Sequence, residues 1–168
     1  KNTIINETQY QETIYRKTAA LFEAASRCSA LFSGANTTIE SACQTYGKEI
    51  GLAFQIVDDI LDYTATAETL GKTSGADIKE QKTTLPLIYT LEELSPTERQ
   101  TLLTQFHHQA GDVSTIQTMV KSTKAIERCF ERVKKHHDNA QKQLQQLPQN
   151  EFTQHLRALI KFNQNRLS

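Results

Sequence analysis

The sequence contains no tryptophan, one methionine, three prolines and six glycines in 168 residues. So few backbone breakers leave little provision for the turns of a strand-rich fold and favour long helices. Net charge is lacking too, because 19 basic residues balance 19 acidic ones. Nothing global therefore draws the chain to nucleic acid or to an anionic membrane surface, and function must come from local charge placement. No apolar run approaches the ~20 residues of a membrane span, and the first residues have no apolar stretch of the kind a signal peptide needs. The three cysteines, Cys28, Cys43 and Cys129, are odd in number and form no C-x-x-C pair. They read as free, buried thiols in a reducing, cytoplasmic compartment. The first residue is Lys1 rather than Met, which raises the expectation of a piece of a longer protein. The length suits one domain, residues 1–168, with its own core.

What is present is helical periodicity. A first helix is expected from about Thr8 to Phe32, with Ile14, Thr18, Leu21, Ala25, Cys28 and Phe32 as its apolar face at three- and four-residue steps. Gly34 is placed to cap its end. A second runs from about Thr38 to Tyr63, on a wide stripe of Ile39, Ala42, Cys43, Tyr46, Ile50, Ala53, Phe54, Val57 and Leu61. Residues 64–82 read as a loop with at most a short helical turn. A helix from about Thr84 to Leu94 follows, with Pro86 in its first turn. Ser95, Pro96 and Glu98 have capping-box spacing and start another that ends near Gly111. A shorter helix covers Val113 to Lys121. From Thr123 to Leu147 the apolar positions Ile126, Phe130, Val133, His137, Ala140, Leu144 and Leu147 alternate steps of four and three. Pro148 stops that helix, and a last one spans about Glu151 to Asn165. No repeat or linker interrupts the pattern, so the fold class is all-α.

Three carboxylates crowd the second helix: Asp58, Asp59 and Asp62. At about 100° per residue, Asp58 and Asp62 lie one turn and about 40° apart. Gln55 projects on the same face, and Asp59 lies at the margin of that face. Like charges at i,i+4 cost a helix about 0.2–0.5 kcal/mol, a cost a bound cation removes. Hard oxygen ligands suit Mg²⁺ or Ca²⁺, and Mg²⁺ takes one or two carboxylates with water and phosphate in its other positions. Gly47 and Gly51 share the face and admit a close neighbour, whether helix or ligand. Downstream, Lys72 follows Gly71 and Lys82 precedes two threonines. Lysines are mobile point charges suited to diphosphate oxygens, and Gly71 and Gly75 permit tight turns beside them. Lys17 and Thr18 pair an ammonium with a hydroxyl on the first helix.

The bland readings stand beside these. An isolated D-D-x-x-D can be a solvated face, and any one lysine a solubilising residue. His107 and His108, like His136 and His137, are adjacent pairs that diverge on a helix, and His155 is alone, so no histidine metal site is expected. Tyr10, Tyr15, Phe22 and Phe32 read as core.

Taken together, Lys17-Thr18, Gly51, Phe54-Gln55, Asp58-Asp59-Ile60-Leu61-Asp62, Gly71-Lys72, Asp77 and Lys82 through Leu85-Pro86-Leu87 closely resemble the carboxy-terminal half of the trans-isoprenyl (polyprenyl) diphosphate synthases. The likeness covers nearly the whole chain and is specific through Leu87, where Leu85-Pro86-Leu87 is similar to the octaprenyl and longer-chain branch. The resemblance implies the isoprenoid-synthase helical bundle and Mg²⁺-dependent transfer of an allylic prenyl diphosphate onto isopentenyl diphosphate. It assigns Mg²⁺ to Asp58 and Asp62 with Asp59 in support. It assigns the allylic diphosphate to Lys17, Lys72 and Lys82, and the surroundings of the reacting carbons to Thr18 and Gln55. It further implies a homodimer or higher oligomer, no nucleic acid, and at most peripheral membrane contact through the lipid product.

Two family features are absent from this sequence: a first aspartate-rich motif and the Gly-Lys-Arg segment that helps hold isopentenyl diphosphate. Half a metal clamp is expected to bind Mg²⁺-diphosphate weakly and not to elongate prenyl chains. An apolar face left for the other half is expected at the surface. A non-catalytic partner of a complete synthase and a purely structural bundle are the alternatives. A class I terpene cyclase fits the Phe54-Gln55 and Gly71-Lys72 contexts poorly.

Overall fold

The computed structural model describes residues 4–64, 75–107 and 112–166, and every regular element among them is helical. In chain order these are α1 (Glu7–Ile14), a π-helical turn (Tyr15–Ala19), α2 (Ala20–Phe32), α3 (Thr37–Thr64), α4 (Ala76–Lys79), α5 (Leu85–Glu93), α6 (Pro96–His107), α7 (Val113–Lys121), α8 (Ala125–Gln143), a 3₁₀ turn (Leu144–Gln146) and α9 (Glu151–Asn165). None of the described helices is long and apolar enough to cross a membrane. The residues gather into two compact units, one of 1–10 and 58–131, the other of 11–57 and 132–168.

In the first unit Tyr63, Ile78, Leu87, Leu91, Leu102, Phe106, Ile116 and Val120 form the core, flanked by Ile4, Leu94, Val113 and Met119. α5 enters it on every side: Leu85 to Leu91 are all buried, as a helix apolar all round must be. The capping box that the sequence signals at Ser95 is formed. Ser95 N–H donates to Glu98 Oε2 at 3.0 Å, and Glu98 N–H donates back to Ser95 Oγ at 3.4 Å. Asp112 Oδ1 accepts from Ser114 N–H at 3.0 Å and starts α7. α6 is described as far as His107; the expected end near Gly111 lies outside the described residues.

In the second unit Ala42, Tyr46 and Ile50 of α3 pack with Ala140, Leu144, Leu147 and Ile160, and Phe22 and Leu156 lean on this cluster. Asn150 Oδ1 caps α9 by accepting from Thr153 N–H at 3.1 Å. Tyr46 O–H donates to the Leu156 carbonyl at 2.9 Å. The first turns of α8 depart from the expected stripe: Phe130 is 38% exposed and Ile126 only half-buried, with Ala125 and Cys129 buried instead, whereas Val133, His137 and Ala140 are buried as expected and His136 is buried with them.

The first helix departs from expectation. Its apolar stripe turns outward beyond Ile14: Leu21 is 74% and Phe32 93% exposed, and Cys28 is exposed rather than buried. The buried positions are Tyr10, Ile14, Ala19 and Ala30, with Phe22 and Ser26 half-buried. The π turn is the reason. It inserts one residue into the helical repeat, as π-bulges do, so the inward series runs 14, 19, 22, 26, 30 instead of 14, 18, 21, 25, 28. Phe32 is therefore surface, not core, and with Leu21 and Leu31 it contributes to the exposed apolar area expected of this chain.

The insertion sets Ala19 against Gly51. A Cβ on Gly51 would lie 2.6 Å from Ala19 Cα, and one on Gly47 would lie 2.4 Å from the Phe22 carbonyl oxygen. The two glycines thus admit a neighbouring helix, the first of the two possibilities their position raised. A Gly47→Ala change would gain at most about 1 kcal/mol of helix propensity. Forcing helix backbones apart costs about 1–3 kcal/mol, and here the obstacle is backbone. We expect a net loss of stability, read as a lower urea midpoint at unchanged m-value.

Two polar pairs, one part-buried and one buried, make the second unit pH-sensitive. Glu49 Oε2 accepts from His136 Nδ1 at 2.8 Å and from Asn139 Nδ2 at 3.2 Å. Burial pushes the Glu49 carboxyl up, but the His136 bond and charge and the Asn139 bond outweigh it and hold the group below its usual range. His137 Nε2 bonds Asn163 Oδ1 at 2.8 Å; burial pushes its imidazole down, only partly opposed by that bond. Both folded pKa values lie below their unfolded ones, so both contributions are present above the unfolded pKa and are lost as pH falls. Melting temperature should drop in two limbs, the first as pH falls below the usual histidine value near 6.5 and the second below the usual glutamate value near 4.3. His137→Gln should flatten the first limb and Glu49→Gln the second.

Candidate functional site

Lys17 and Thr18 both sit in the π turn. Lys17 is exposed, and Thr18 is half-buried with its Oγ1–H donating to Gln55 Oε1 at 2.6 Å. Gln55 is itself buried. The same insertion that puts Ala19 against Gly51 leaves Thr18 beside Gln55, one turn further along α3. Phe54, next to it, is held between Phe22 (ring centroids 5.7 Å apart) and the Arg166 guanidinium, 4.7 Å from its ring centre. Lys48 lies 5.6 Å from the centre of the Tyr15 ring. The second unit therefore brings together Thr18 and Gln55, and sets Arg166, which the sequence pattern did not single out, over the Phe54 ring.

The three aspartates belong to the first unit, where they differ. Asp58 is half-buried. Asp59 is 2% exposed and accepts the Tyr10 phenol on Oδ2 at 2.7 Å. Burial first, then the Asp59 charge and hydrogen bond, push the Tyr10 phenol well up, so it stays a donor. Burial, with Asp59 again second, also lifts the Cys129 thiol. Asp62 organises the chain beyond the helix. Its Oδ1 accepts from the N–H groups of Gly75 (3.1 Å) and Ala76 (3.0 Å), its Oδ2 from Asp77 N–H (3.0 Å), and its carbonyl from Gly75 N–H (3.0 Å) and Gln117 Nε2 (3.1 Å). Burial lifts the Asp62 carboxyl above its usual range and the Asp77 charge adds to this, against the pull of those amides.

Gly75 has to be glycine: its φ is +82°, and a Cβ would lie 2.2 Å from Val113 Cγ1. It makes the expected tight turn. Gly71 and Lys72 lie outside the described residues. Lys82 is half-exposed and paired with Glu80 at 2.5 Å and Asp77 at 3.3 Å. The Glu80 bond, ahead of the opposing burial and the Asp77 charge, raises its pKa. Just beyond it, Tyr63 and Thr84 hydroxyls meet at 3.0 Å, tying the end of α3 to the start of α5.

Oxygen donors that are partly open to solvent suit a hard divalent cation that keeps water and phosphate in its shell, so the residues present fit Mg²⁺. Among the described residues no group of three or more His, Cys, Asp or Glu side chains is arranged to hold a metal unaided. His136 and His137 bond to different partners, and His107 lies edge-on to Phe106.

Residues 1–123 match the polyprenyl synthetase family. The chain belongs to that family. An octaprenyl diphosphate synthase of Escherichia coli is 37% identical over 146 residues, covering 86% of this chain and 45% of that one. In structure, a decaprenyl diphosphate synthase from Rhodobacter capsulatus superposes with a TM-score of 0.88 at 31% identity, covering 98% of this chain and 51% of that one. A polyprenyl synthase from Caulobacter crescentus, complexed with calcium and isoprenyl diphosphate, gives 0.86 at 31% identity, covering 95% and 49%. The chain thus spans about half the length of these family members, and the all-α isoprenoid-synthase fold is theirs in common.

Asp62 has a structural duty that can be measured apart from any ligand. Removing its carboxylate by Asp62→Ala leaves the amides of Ala76 and Asp77 without their acceptor, while Gly75 N–H keeps the Asp62 carbonyl, at about 1–3 kcal/mol for an amide that stays buried. Hydrogen exchange at Ala76 and Asp77 should accelerate at least tenfold, with the amides of α9 unchanged.

Proposed function

We propose that this chain is the part of a polyprenyl diphosphate synthase that carries its second aspartate-rich motif, in an enzyme joining an allylic prenyl diphosphate to isopentenyl diphosphate. The observation that carries the reading is the 2.6 Å bond from Thr18 to Gln55. It joins two motifs 37 positions apart in a chain whose family is established, through two oxygen-bearing side chains suited to a carbocation reaction.

In this reading Asp58 and Asp62 hold Mg²⁺, with Asp59 in support. Lys17, Lys72 and Lys82 face the allylic diphosphate. Mg²⁺, when bound, neutralises negative charge that grows on the departing diphosphate. The lysines share that work as mobile point charges. Lys82 would exchange its Glu80 and Asp77 partners for phosphate oxygens. Thr18 donates to Gln55 Oε1 and so fixes the amide orientation; the remaining lone pairs of those oxygens stabilise positive charge on the allyl group or take up the proton when the new double bond forms. The calcium and isoprenyl diphosphate of the Caulobacter crescentus structure support a divalent cation and a prenyl diphosphate as the ligands. The matched octaprenyl and decaprenyl synthases favour a long-chain product.

The first aspartate-rich motif is missing from this sequence, so the chain by itself should not elongate. With radiolabelled isopentenyl diphosphate, farnesyl diphosphate and Mg²⁺, no longer prenyl product is expected. Calorimetry should show Mg²⁺-dependent binding of inorganic diphosphate that Asp58→Asn weakens by about tenfold or more. Elongation by the purified chain would overturn the expected inactivity. Diphosphate binding that ignores Mg²⁺ would favour the structural-partner reading.

A further inference from the structure

Asp59 is buried while Asp58 and Asp62 are half-exposed, although all three lie within five residues of α3. Tyr10 supplies the inward partner. Its phenol donates to Asp59 Oδ2 at 2.7 Å, and both residues are 2% exposed. The donor comes from α1, 49 positions earlier in the chain. With Asp59 pointing inward, helix geometry fixes the other two. Asp58 turns away by about 100° and Asp62 by about 60°, to the same side, which leaves them about 40° apart. For Asp59 to join them as a ligand, α3 would have to rotate and strand a buried phenol without an acceptor.

We propose that Tyr10 is a positioning residue for the acidic segment: its bond to Asp59 sets the azimuth of α3, so that Asp58 and Asp62 together face the cation and Asp59 anchors them from behind. The inference rests on the Mg²⁺-diphosphate reading and deepens it. That reading already has two ligands and one supporting carboxylate; the inference gives the supporting one a partner on another helix that fixes its place.

The test uses manganese(II) with inorganic diphosphate as the probe, read by electron paramagnetic resonance on the full chain. Tyr10→Phe keeps the ring and removes one hydroxyl. It should melt within a few degrees of wild type yet bind manganese-diphosphate about tenfold more weakly, the usual scale for losing a partner behind a metal ligand. Because Tyr10 and Asp59 act as a unit, the Tyr10→Phe/Asp59→Asn double variant should bind no more weakly than Asp59→Asn alone. Wild-type affinity in Tyr10→Phe, or additive losses in the double variant, would overturn the proposal. If Tyr10→Phe melts early, amide exchange decides: acceleration confined to residues 58–62 supports positioning, and loss of protection along the whole chain overturns it. A wild-type chain that does not bind manganese-diphosphate overturns the functional reading and this proposal together, an outcome distinct from a binding wild type with an unaffected Tyr10→Phe.

Discussion

Two helices can approach each other only as closely as their side chains allow, and in the second unit that limit has been taken almost to bare backbone. Gly47 and Gly51 present no Cβ to Phe22 and Ala19, and neither position has space for one. The approach demands a small residue opposite Gly51, and the π turn delivers Ala19 there. Once that register is set, Thr18 is beside Gln55, Phe22 reaches the core cluster and Phe54, and the rest of α2 turns its larger apolar side chains outward. Packing and candidate chemistry here have a single steric origin, one inserted residue facing two missing side chains.

In the first unit hydrogen bonding has the equivalent part. Each aspartate of the acidic segment has its own environment: Asp59 meets a phenol, Asp62 gathers the amides of residues 75–77, and Asp58 stays at the half-exposed boundary. Identical carboxylates become distinct because the helix aims them at different neighbours. This is the usual way a protein differentiates repeated acidic groups without changing residue type.

Much of this fold is legible in the sequence, because apolar spacing and caps are local. Ser95 with Glu98 marks a helix start within four residues, and the structure places α7 and α9 at Val113–Lys121 and Glu151–Asn165, the ranges read from the pattern. The π turn was not legible for a specific reason. Ile14, Thr18, Leu21, Ala25, Cys28 and Phe32 form an unbroken α-helical stripe on paper, and its outer members are apolar although they are exposed. Periodicity cannot tell a face buried in this chain from an apolar face at its surface. Tyr10 with Asp59, and Glu49 with His136, escaped for another reason: their partners are 49 and 87 positions apart, and no local pattern announces them. The family resemblance located the candidate residues and set Asp59 apart in a supporting part, whereas only the folded chain shows that Asp59 is buried against Tyr10.

The contrast between Cys28 and Cys129 has a practical consequence. Cys28 lies on the outward side of α2, exposed, whereas Cys129 is buried with its thiol held protonated by burial and by the neighbouring Asp59 charge. Thiolate is the reactive form, so an alkylating dye distinguishes the two without mutagenesis. A label would enter at Cys28, on the helix that follows the π turn. A fluorophore there would sit on the apolar face that Leu21 and Phe32 leave uncovered, and would report directly when another molecule settles on it.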